Sequence, residues 1–297
     1  MNLAQRKLAP VVIAASMALG SCAGRTLPPD PSRVVRTVKE ERDWLALAGD
    51  ITDPSQFKVW EPILEEMTGV KPVPSENVFF NGIKENCESF ANAGGCYSPR
   101  WIFSPPKIFI EGRFSSFLSK ATKGHSSDNK VSKFSTWVHE QGHHFDNKLG
   151  SSNMDMLIDQ LEAVAFEHYF AEHIGKYYSK KLAFLLMMDL EFEQACNIVE
   201  QHDFYKNELL GTLEKVLAYK NDAESNPILY HPHGARPSYL SLYALYGSGR
   251  DSFGEVWNFI HSHSHEEVLH EIKKSSGFVA DGIEKVNQML FRPAISR

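Results

Sequence analysis

The chain has 297 residues, a formal net charge of −6 at pH 7, 42% hydrophobic residues and 11% aromatic residues. This composition supports a folded core in one domain with two lobes, and it excludes a disordered chain. Acidic residues outnumber basic ones by 37 to 31, and no basic patch with interleaved aromatic residues is present. Nucleic acid is therefore not expected as a partner.

Residues 1–21 have the pattern of a targeting segment. Arg6 and Lys7 form a basic start, and a short apolar run follows at positions 8–19. That run is too short to span a bilayer, and Pro10 interrupts it early. We therefore expect this segment to be a signal peptide rather than a membrane span.

The targeting segment ends in Leu19-Gly20-Ser21-Cys22, which resembles the bacterial lipobox. The resemblance implies that Cys22 is acylated and becomes the mature N-terminus of a lipoprotein of the bacterial cell envelope. Ala23 resembles the signal for the outer membrane, on either its periplasmic or its surface face. Residues 22–32 are rich in proline and would form a lipidated tether. The alternative is an ordinary signal peptide with an unmodified Cys22.

The first elements of the folded part are predicted from local patterns. Asp30-Pro31 and Asp53-Pro54 each place an N-cap before a proline at the first helical position, which predicts helices near 31–48 and 54–68. The pattern then changes to short β-rich runs, which predict strands at 78–80, 101–103 and 107–110.

Cys87 and Cys96 enclose a loop that contains glycine and asparagine. In an oxidising envelope compartment, this spacing predicts a local disulfide between the two residues. Two free thiols are the alternative.

The run His139-Glu140-Gln141-Gly142-His143 has the pattern H-E-x-x-H, inside a helix predicted over about 132–148. Residues four apart share a helix face, so His139 and His143 can direct imidazole nitrogens at one zinc ion. Glu140 is not spaced to join them, and it is placed to accept a proton from water that the metal activates. This chemistry is metal-assisted hydrolysis. At this point the chain resembles the zincin metallopeptidases.

The third metal ligand distinguishes the zincin subfamilies. The metzincin pattern requires Gly and His where this chain has Asp146 and Leu149, so that pattern fails. A second helix predicted near 154–174 carries Glu162, 19 residues after His143, which leaves room for a turn and an antiparallel return. A buried carboxylate is costly unless it is paired or binds a metal.

The segment Glu162-Ala163-Val164-Ala165 also resembles the Glu-x-x-Ala signature of gluzincin ligand helices. We therefore predict Glu162 as the third ligand, with Glu167 as its rival. Gluzincins often place an acid four residues after the ligand to orient a ligand histidine, but that position is Phe166 here. The orienting carboxylate would come from elsewhere, with three candidates: Asp146, Asp159 and Glu167.

The resemblance to gluzincins covers most of residues 70–297 and implies the fold class: α+β, predominantly helical and zincin-like. It implies a small sheet and an active-site helix in an N-lobe of about 33–150, and a helical C-lobe of about 151–297. Further helices are predicted near 179–202, 204–220, 237–246, 252–262, 265–275 and 279–290. In this family the edge strand of the sheet binds extended substrate. We expect Ile108-Phe109-Ile110 to be that edge, with a place inside the sheet as the alternative.

Gluzincins also use a Tyr or His of the C-lobe to stabilise the oxyanion. The donor-rich segment Tyr230-His231-Pro232-His233 and the nearby Tyr239 offer candidates, and Tyr239 is our first choice. The alternative is a structural role for all of them. The histidines of His261-Ser262-His263-Ser264-His265 are predicted to lie in a loop that leads into a capped helix, rather than to bind a second metal.

The sequence thus predicts a zinc metalloendopeptidase of gluzincin type, with one zinc per chain held by His139, His143 and Glu162. Its partners would be a peptide or protein substrate and, through the lipid anchor, a membrane. The alternative is a non-catalytic surface lipoprotein that binds partners on a degenerate zincin scaffold. Retention of Glu140 argues against that alternative, because a scaffold has no need of the base.

Overall fold

The computed structural model describes residues 43–49, 51–87, 95–99, 104–110, 131–149, 156–189 and 235–291, together with positions 206, 207, 209–211 and 213. Several predicted features lie outside these residues. They are the signal peptide, Cys22 and its tether, the strand at 101–103 and the segment 230–233.

The described residues are mostly helical, with one small sheet, which confirms the predicted fold class at this level. The α-helices are α1 (Trp44–Ala48), α2 (Glu61–Thr68), α3 (Ile83–Asn86), α4 (Ser132–Leu149), α5 (Met156–Tyr177), α6 (Lys180–Asp189), α7 (Ala235–Gly247), α8 (Phe253–Ser262), α9 (His265–Ser275) and α10 (Val279–Phe291). The strands are β1 (Val78–Phe80), β2 (Gly95–Ser98) and β3 (Lys107–Ile110). Short 3₁₀ turns span Pro54–Val59, Ser75–Asn77 and Ser276–Phe278.

The sheet has the strand order β1-β3-β2. β1 pairs with β3 in parallel, with Val78 opposite Ile108, and β2 pairs with β3 antiparallel, with Cys96 opposite Phe109. The prediction that Ile108-Phe109-Ile110 forms the edge is wrong, because β3 is hydrogen-bonded on both sides. All three of its residues after Lys107 are buried, as a central strand requires. The two edges of the described sheet are β1 and β2, and β2 is the edge antiparallel to β3.

A disulfide links Cys87, just after α3, to Cys96 in β2. The two cysteines pack with Ile83 and Phe109 in a small apolar cluster. The disulfide therefore joins β2 to the end of α3.

Side chains cap the starts of three helical segments, among them the predicted caps at Asp53 and Ser264. Asp53 and Ser264 form capping boxes with Gln56 and Glu267, and the Ser252 hydroxyl caps α8. The helix predicted over 54–68 is broken at Trp60 into a 3₁₀ turn and α2. A continuous helix would place Pro62 in its interior, where the ring removes a donor and clashes with the preceding turn, whereas the break leaves it in the first turn of α2.

The prediction of a helix near 31–48 also needs correction at its C-terminal end. Asp43 has a non-helical backbone and accepts hydrogen bonds from the N–H groups of Leu45 and Ala46. It therefore acts as the N-cap of a short separate helix, α1.

Helices α4 and α5 pack antiparallel and cross closely at Gly142. A Cβ atom added at Gly142 would lie 2.8 Å from the Cα of Ala163, so these two small residues allow the close approach. Buried aromatic rings also join the two helices, with Phe134 against Phe170 and Phe145 against Phe166. The crossing fixes which residues of α5 face the H-E-x-x-H residues of α4.

The helices after residue 235 cover the other side of α5. The Tyr239 ring of α7 lies 6.1 Å from the His168 ring, and Trp257 of α8 lies 5.7 Å from Phe166. Because α8 packs there, its last turn brings His261 against α5. Among the described helices, none has the length and apolar character needed to cross a membrane.

Candidate metal centre and catalytic site

The H-E-x-x-H residues of α4 are enclosed on several sides. The buried side-chain amide of Gln141 donates to the Val73 carbonyl at 2.8 Å and accepts from the Val73 N–H at 2.9 Å. Nε2 of His144 lies 3.0 Å from the Lys71 carbonyl oxygen, and its Nδ1 lies 3.2 Å from the Tyr97 hydroxyl. The helix is therefore not a solvated surface helix. Gln141 and His144 hold it against residues 71–73 and Tyr97.

His139 is held at both ring nitrogens by residues of α5. Its Nδ1 lies 3.0 Å from Oε2 of Glu167, and its Nε2 lies 3.1 Å from the Gln160 side-chain nitrogen. In the neutral imidazole, a proton on Nδ1 satisfies Glu167 and leaves Nε2 as the acceptor of the Gln160 amide. Burial lowers the pKa of His139, but the charges of Glu167 and Glu140 and the hydrogen bonds with Glu167 and Gln160 together raise it to about 8.

His143 lies one turn further along the same face of α4. The two ring centroids are 4.9 Å apart, and the ring planes are nearly perpendicular, at 83°. Burial, together with the charge of His139, lowers the pKa of His143 to about 3. The imidazole of His143 is therefore neutral at pH 7, which is the form that binds a metal ion.

Glu140 points to the sheet instead of to α5. Its carboxylate accepts a hydrogen bond from the backbone N–H of Tyr97 in β2. A Cβ atom added at Gly95 would collide with Oε1 of Glu140 and would lie 2.6 Å from Cγ2 of Thr136. The absence of a side chain at Gly95 thus makes room for the Glu140 carboxylate against the edge strand.

The environment of Glu140 favours a proton-transfer role. The residue is only 5% exposed. Burial raises the pKa of Glu140 to about 7, while the charge of His139 and the Tyr97 N–H oppose the rise. A carboxyl group with a pKa near neutrality can both accept and return a proton at physiological pH.

The structure brings Glu162 into a group with Asp146 and His261. One ligand atom from each residue lies within 4.8 Å of the other two. Oε1 of Glu162 lies 3.3 Å from Nδ1 of His261. This group contains the predicted third ligand but neither His139 nor His143, so Glu162 here contacts the C-terminal half of the chain at α8.

Glu167, one of the three acids that the sequence analysis considered for orienting a histidine, is in contact with His139. Its Oε1 accepts a hydrogen bond from the Ser135 hydroxyl at 3.3 Å, while its Oε2 faces His139. In the gluzincin pattern, the metal ligand precedes this acid by four residues. That position is Ala163, which offers no ligand atom, so the register of Glu162 departs from the pattern by one residue.

Two other predicted residues are described. Tyr239 lies on α7 with its ring against His168, and its proposed oxyanion role stays a prediction. In the histidine segment, His263 is exposed and His265 opens α9 after the Ser264 cap, as predicted. His261 instead belongs to α8 and contributes to a buried group, which differs from the predicted loop.

Gln160 was missed by the sequence analysis, although it lies 3.1 Å from Nε2 of His139. A signal was present, because residues 160 and 167 are seven apart and so share a face of α5. Asp146 had a similar signal, since it follows His143 by three residues on α4. Nothing in the local sequence places His261 near them.

No protein-family model, curated protein or solved structure matches this chain. The resemblance to gluzincins therefore rests on the H-E-x-x-H motif and its surroundings.

Proposed function

We propose that this protein is a zinc-dependent peptidase that hydrolyses peptide bonds with activated water and without a covalent intermediate. One observation carries the proposal. His139 and His143 share a face of an enclosed helix, and the Glu140 carboxylate between them lies at the edge of a small sheet. A degenerate scaffold has no need for a buried carboxylate at that place.

Two of the three proposed zinc donors, His139 and His143, share a face of α4, whereas Glu162 would have to turn away from His261 to join them. Zinc would bind Nε2 of His139 by displacing the proton that its pKa of about 8 implies and the contact with Gln160, while Nδ1 keeps its proton toward Glu167. His143 is already neutral. Glu162 is the third ligand in this proposal, carried forward from the sequence. Zinc bound there would act as a Lewis acid that makes water acidic enough to attack a carbonyl carbon near neutral pH.

Glu140 is the proposed general base and then the general acid. It removes a proton from the attacking water as the oxygen bonds to the carbonyl carbon of the substrate. It returns that proton to the amine nitrogen as the C–N bond breaks. The residue is 5% exposed, so its carboxylate is shielded from bulk water during both transfers.

An extended peptide is the substrate form that this arrangement favours. β2 is a short strand at the described edge of the sheet, antiparallel to β3, and the N–H of its Tyr97 already donates to Glu140. A peptide strand added along this edge would therefore pass close to the proposed base. An antiparallel edge strand beside the active-site helix also supports the zincin-like layout.

On the basis of the lipobox resemblance, we propose that this activity is located at the bacterial cell envelope. Acylated Cys22 would anchor the protein in the outer membrane, and the proline-rich residues up to position 32 would hold the domain near the bilayer.

The test compares zinc content and peptidase rate on the same preparations of wild type, Glu140→Gln and Glu266→Gln. Glu266 is exposed on α9 and provides a matched control. Glu140→Gln should keep its zinc and lose about 10³-fold in rate, because an amide cannot accept the proton. Glu266→Gln should behave as wild type.

Two outcomes would contradict the proposal. If Glu140→Gln cleaves within about tenfold of a cleaving wild type, the role of Glu140 as base is wrong. If zinc-loaded wild type cleaves neither casein nor a peptide library, the non-catalytic scaffold becomes the better account.

A further inference from the structure

A second cluster of metal-binding side chains lies where three helices meet. Asp146 comes from α4, Glu162 from α5 and His261 from the last turn of α8. One ligand atom of each residue lies within 4.8 Å of the other two. The 3.3 Å between Oε1 of Glu162 and Nδ1 of His261 matches the spacing of about 3.3–3.5 Å between two ligands of one tetrahedral zinc ion. Since the residues are far apart in sequence, the tertiary packing alone brings them together.

The three side chains are sheltered from solvent. Asp146 is 5% exposed and Glu162 is fully buried, and the His261 side chain is 12% exposed. Two acidic side chains and an imidazole in a sheltered place form a donor set that a divalent cation can bind. Buried acidic groups are often found bound to metals.

His261 contributes an imidazole to this cluster. Its Nδ1 lies 3.3 Å from Oε1 of Glu162, and its Nε2 is buried without a hydrogen-bond partner in the part of the chain that the structure describes. The Trp257 ring packs edge-on at 4.2 Å and helps to fix the imidazole.

We propose that Asp146, Glu162 and His261 form a second metal site, the three-helix site, which binds one zinc ion. The imidazole argues against calcium and magnesium, which prefer oxygen ligands only, and two carboxylates with one imidazole suit zinc. Because each ligand comes from a different helix, the ion would join α8 to the pair α4 and α5. The expected stoichiometry then rises from one to two zinc ions per chain.

The three-helix site shares Glu162 with the proposed catalytic centre, so Glu162 variants do not separate the two. Asp146 and His261 belong to the three-helix site alone, and His139 and His143 belong to the catalytic centre alone. The geometry of the three-helix site does not depend on the proposed peptidase function. Variants of the unshared residues therefore test each site separately.

The experiment titrates zinc into full-length protein in detergent after chelator treatment. Bound metal is counted by mass spectrometry, and affinity is measured against a chromophoric chelator. Wild type should bind two zinc ions. Asp146→Asn and His261→Gln should each bind one, and so should the double variant His139→Gln/His143→Gln. The exposed neighbour His263 provides the control, and His263→Gln should bind two.

Thermal unfolding of the same samples guards against variants that fail to fold. In the double variant His139→Gln/His143→Gln, zinc should raise the melting temperature, and X-ray absorption should report about one imidazole per zinc with oxygen as the other ligands. Adding His261→Gln to the double variant should remove both signals.

The outcomes separate the two proposals. If wild type binds one zinc, and Asp146→Asn and His261→Gln bind it equally well, the three-helix site is wrong and the catalytic centre stands. If the single zinc is lost in Asp146→Asn and His261→Gln but kept in His139→Gln/His143→Gln, the three-helix site stands and the catalytic centre fails. Binding of no zinc by folded wild type overturns both.

Discussion

Oε2 of Glu167 lies 3.0 Å from Nδ1 of His139, in the geometry of a carboxylate that orients a metal-binding imidazole. In the neutral imidazole this contact favours the tautomer with its lone pair on Nε2, which a metal ion could bind by displacing the Gln160 side chain. It also removes Glu167 from competition as a direct ligand in our proposal, because its two oxygens already face His139 and the Ser135 hydroxyl.

The first prediction separates a ligand from an orienting residue. Glu162→Ala should lose most of the bound zinc, because it removes a protein ligand. Glu167→Ala should keep zinc at stoichiometric concentrations while its zinc affinity falls about 10–100-fold, as is typical when an orienting partner is removed. Metal analysis and chelator competition on both variants give the two readouts.

Two results would contradict this assignment. Equal zinc retention in both variants would remove Glu162 from the ligand set. Loss of zinc from Glu167→Ala alone would make Glu167 the ligand and would require its carboxylate to leave His139.

The second prediction concerns the anchor. In cells that produce Cys22→Ser, the protein should leave the membrane fraction or keep its signal peptide, because serine cannot carry the thioether-linked lipid. Metabolic labelling with an alkyne palmitate should mark wild type and not the variant. A labelled Cys22→Ser protein would show that the lipobox interpretation is wrong.

The third prediction concerns the pH dependence of stability and the buried His168 of α5. Its Nδ1 lies 2.8 Å from the Val164 carbonyl oxygen. Burial lowers its pKa from 6.5 to about 4 in the folded state. The unfolded chain therefore binds more protons between these two values, and the stability contributed by neutral His168 is lost as the pH falls from about 6.5 to 4. From pH 7.5 to pH 5 the loss should be about 2 kcal/mol.

Urea unfolding at pH 7.5 and pH 5 measures this effect. His168→Gln should show a pH dependence smaller by about 2 kcal/mol, whatever its absolute stability. The exposed His263 is the matched control, and His263→Gln should keep the wild-type dependence. An unchanged pH dependence in His168→Gln would mean that His168 is not a source of acid sensitivity.

The elements that were predicted well have strong local signals. The helix that carries the H-E-x-x-H motif was expected over about 132–148 and spans Ser132–Leu149, and the strands at 78–80 and 107–110 occur at those positions. β2 was missed because its four residues begin with glycine and end just before Pro99, so that no alternating run is visible. Without β2, the edge of the sheet was assigned to β3.

The contacts within the candidate site were harder to predict than its residue types. The H-E-x-x-H spacing identified His139, Glu140 and His143 from one helix alone. The pairing of His139 with Glu167 depends on how α4 crosses α5, which the contact of Gly142 with Ala163 fixes. That crossing is a tertiary feature with no local signal, and the approach of His261 depends on a further helix.

The last prediction concerns Gly95, the first residue of β2. An alanine Cβ there would collide with the Glu140 carboxylate and would lie 2.6 Å from Cγ2 of Thr136, so the carboxylate or the strand must move. Overpacking of this kind costs about 1–3 kcal/mol of stability. Because a shift of about 1 Å in a catalytic group can cost 10²-fold, peptidase activity should fall about tenfold or more.

Gly277→Ala is the control for this change, since a Cβ at Gly277 meets no atom within 4 Å. Unfolding curves, zinc content and peptidase rate are measured on both variants. Gly95→Ala should keep its zinc, because Gly95 contacts the proposed base and not the metal ligands, and its rate should fall while Gly277→Ala keeps the wild-type rate. A Gly95→Ala protein with wild-type stability and rate would show that β2 does not constrain Glu140 in solution.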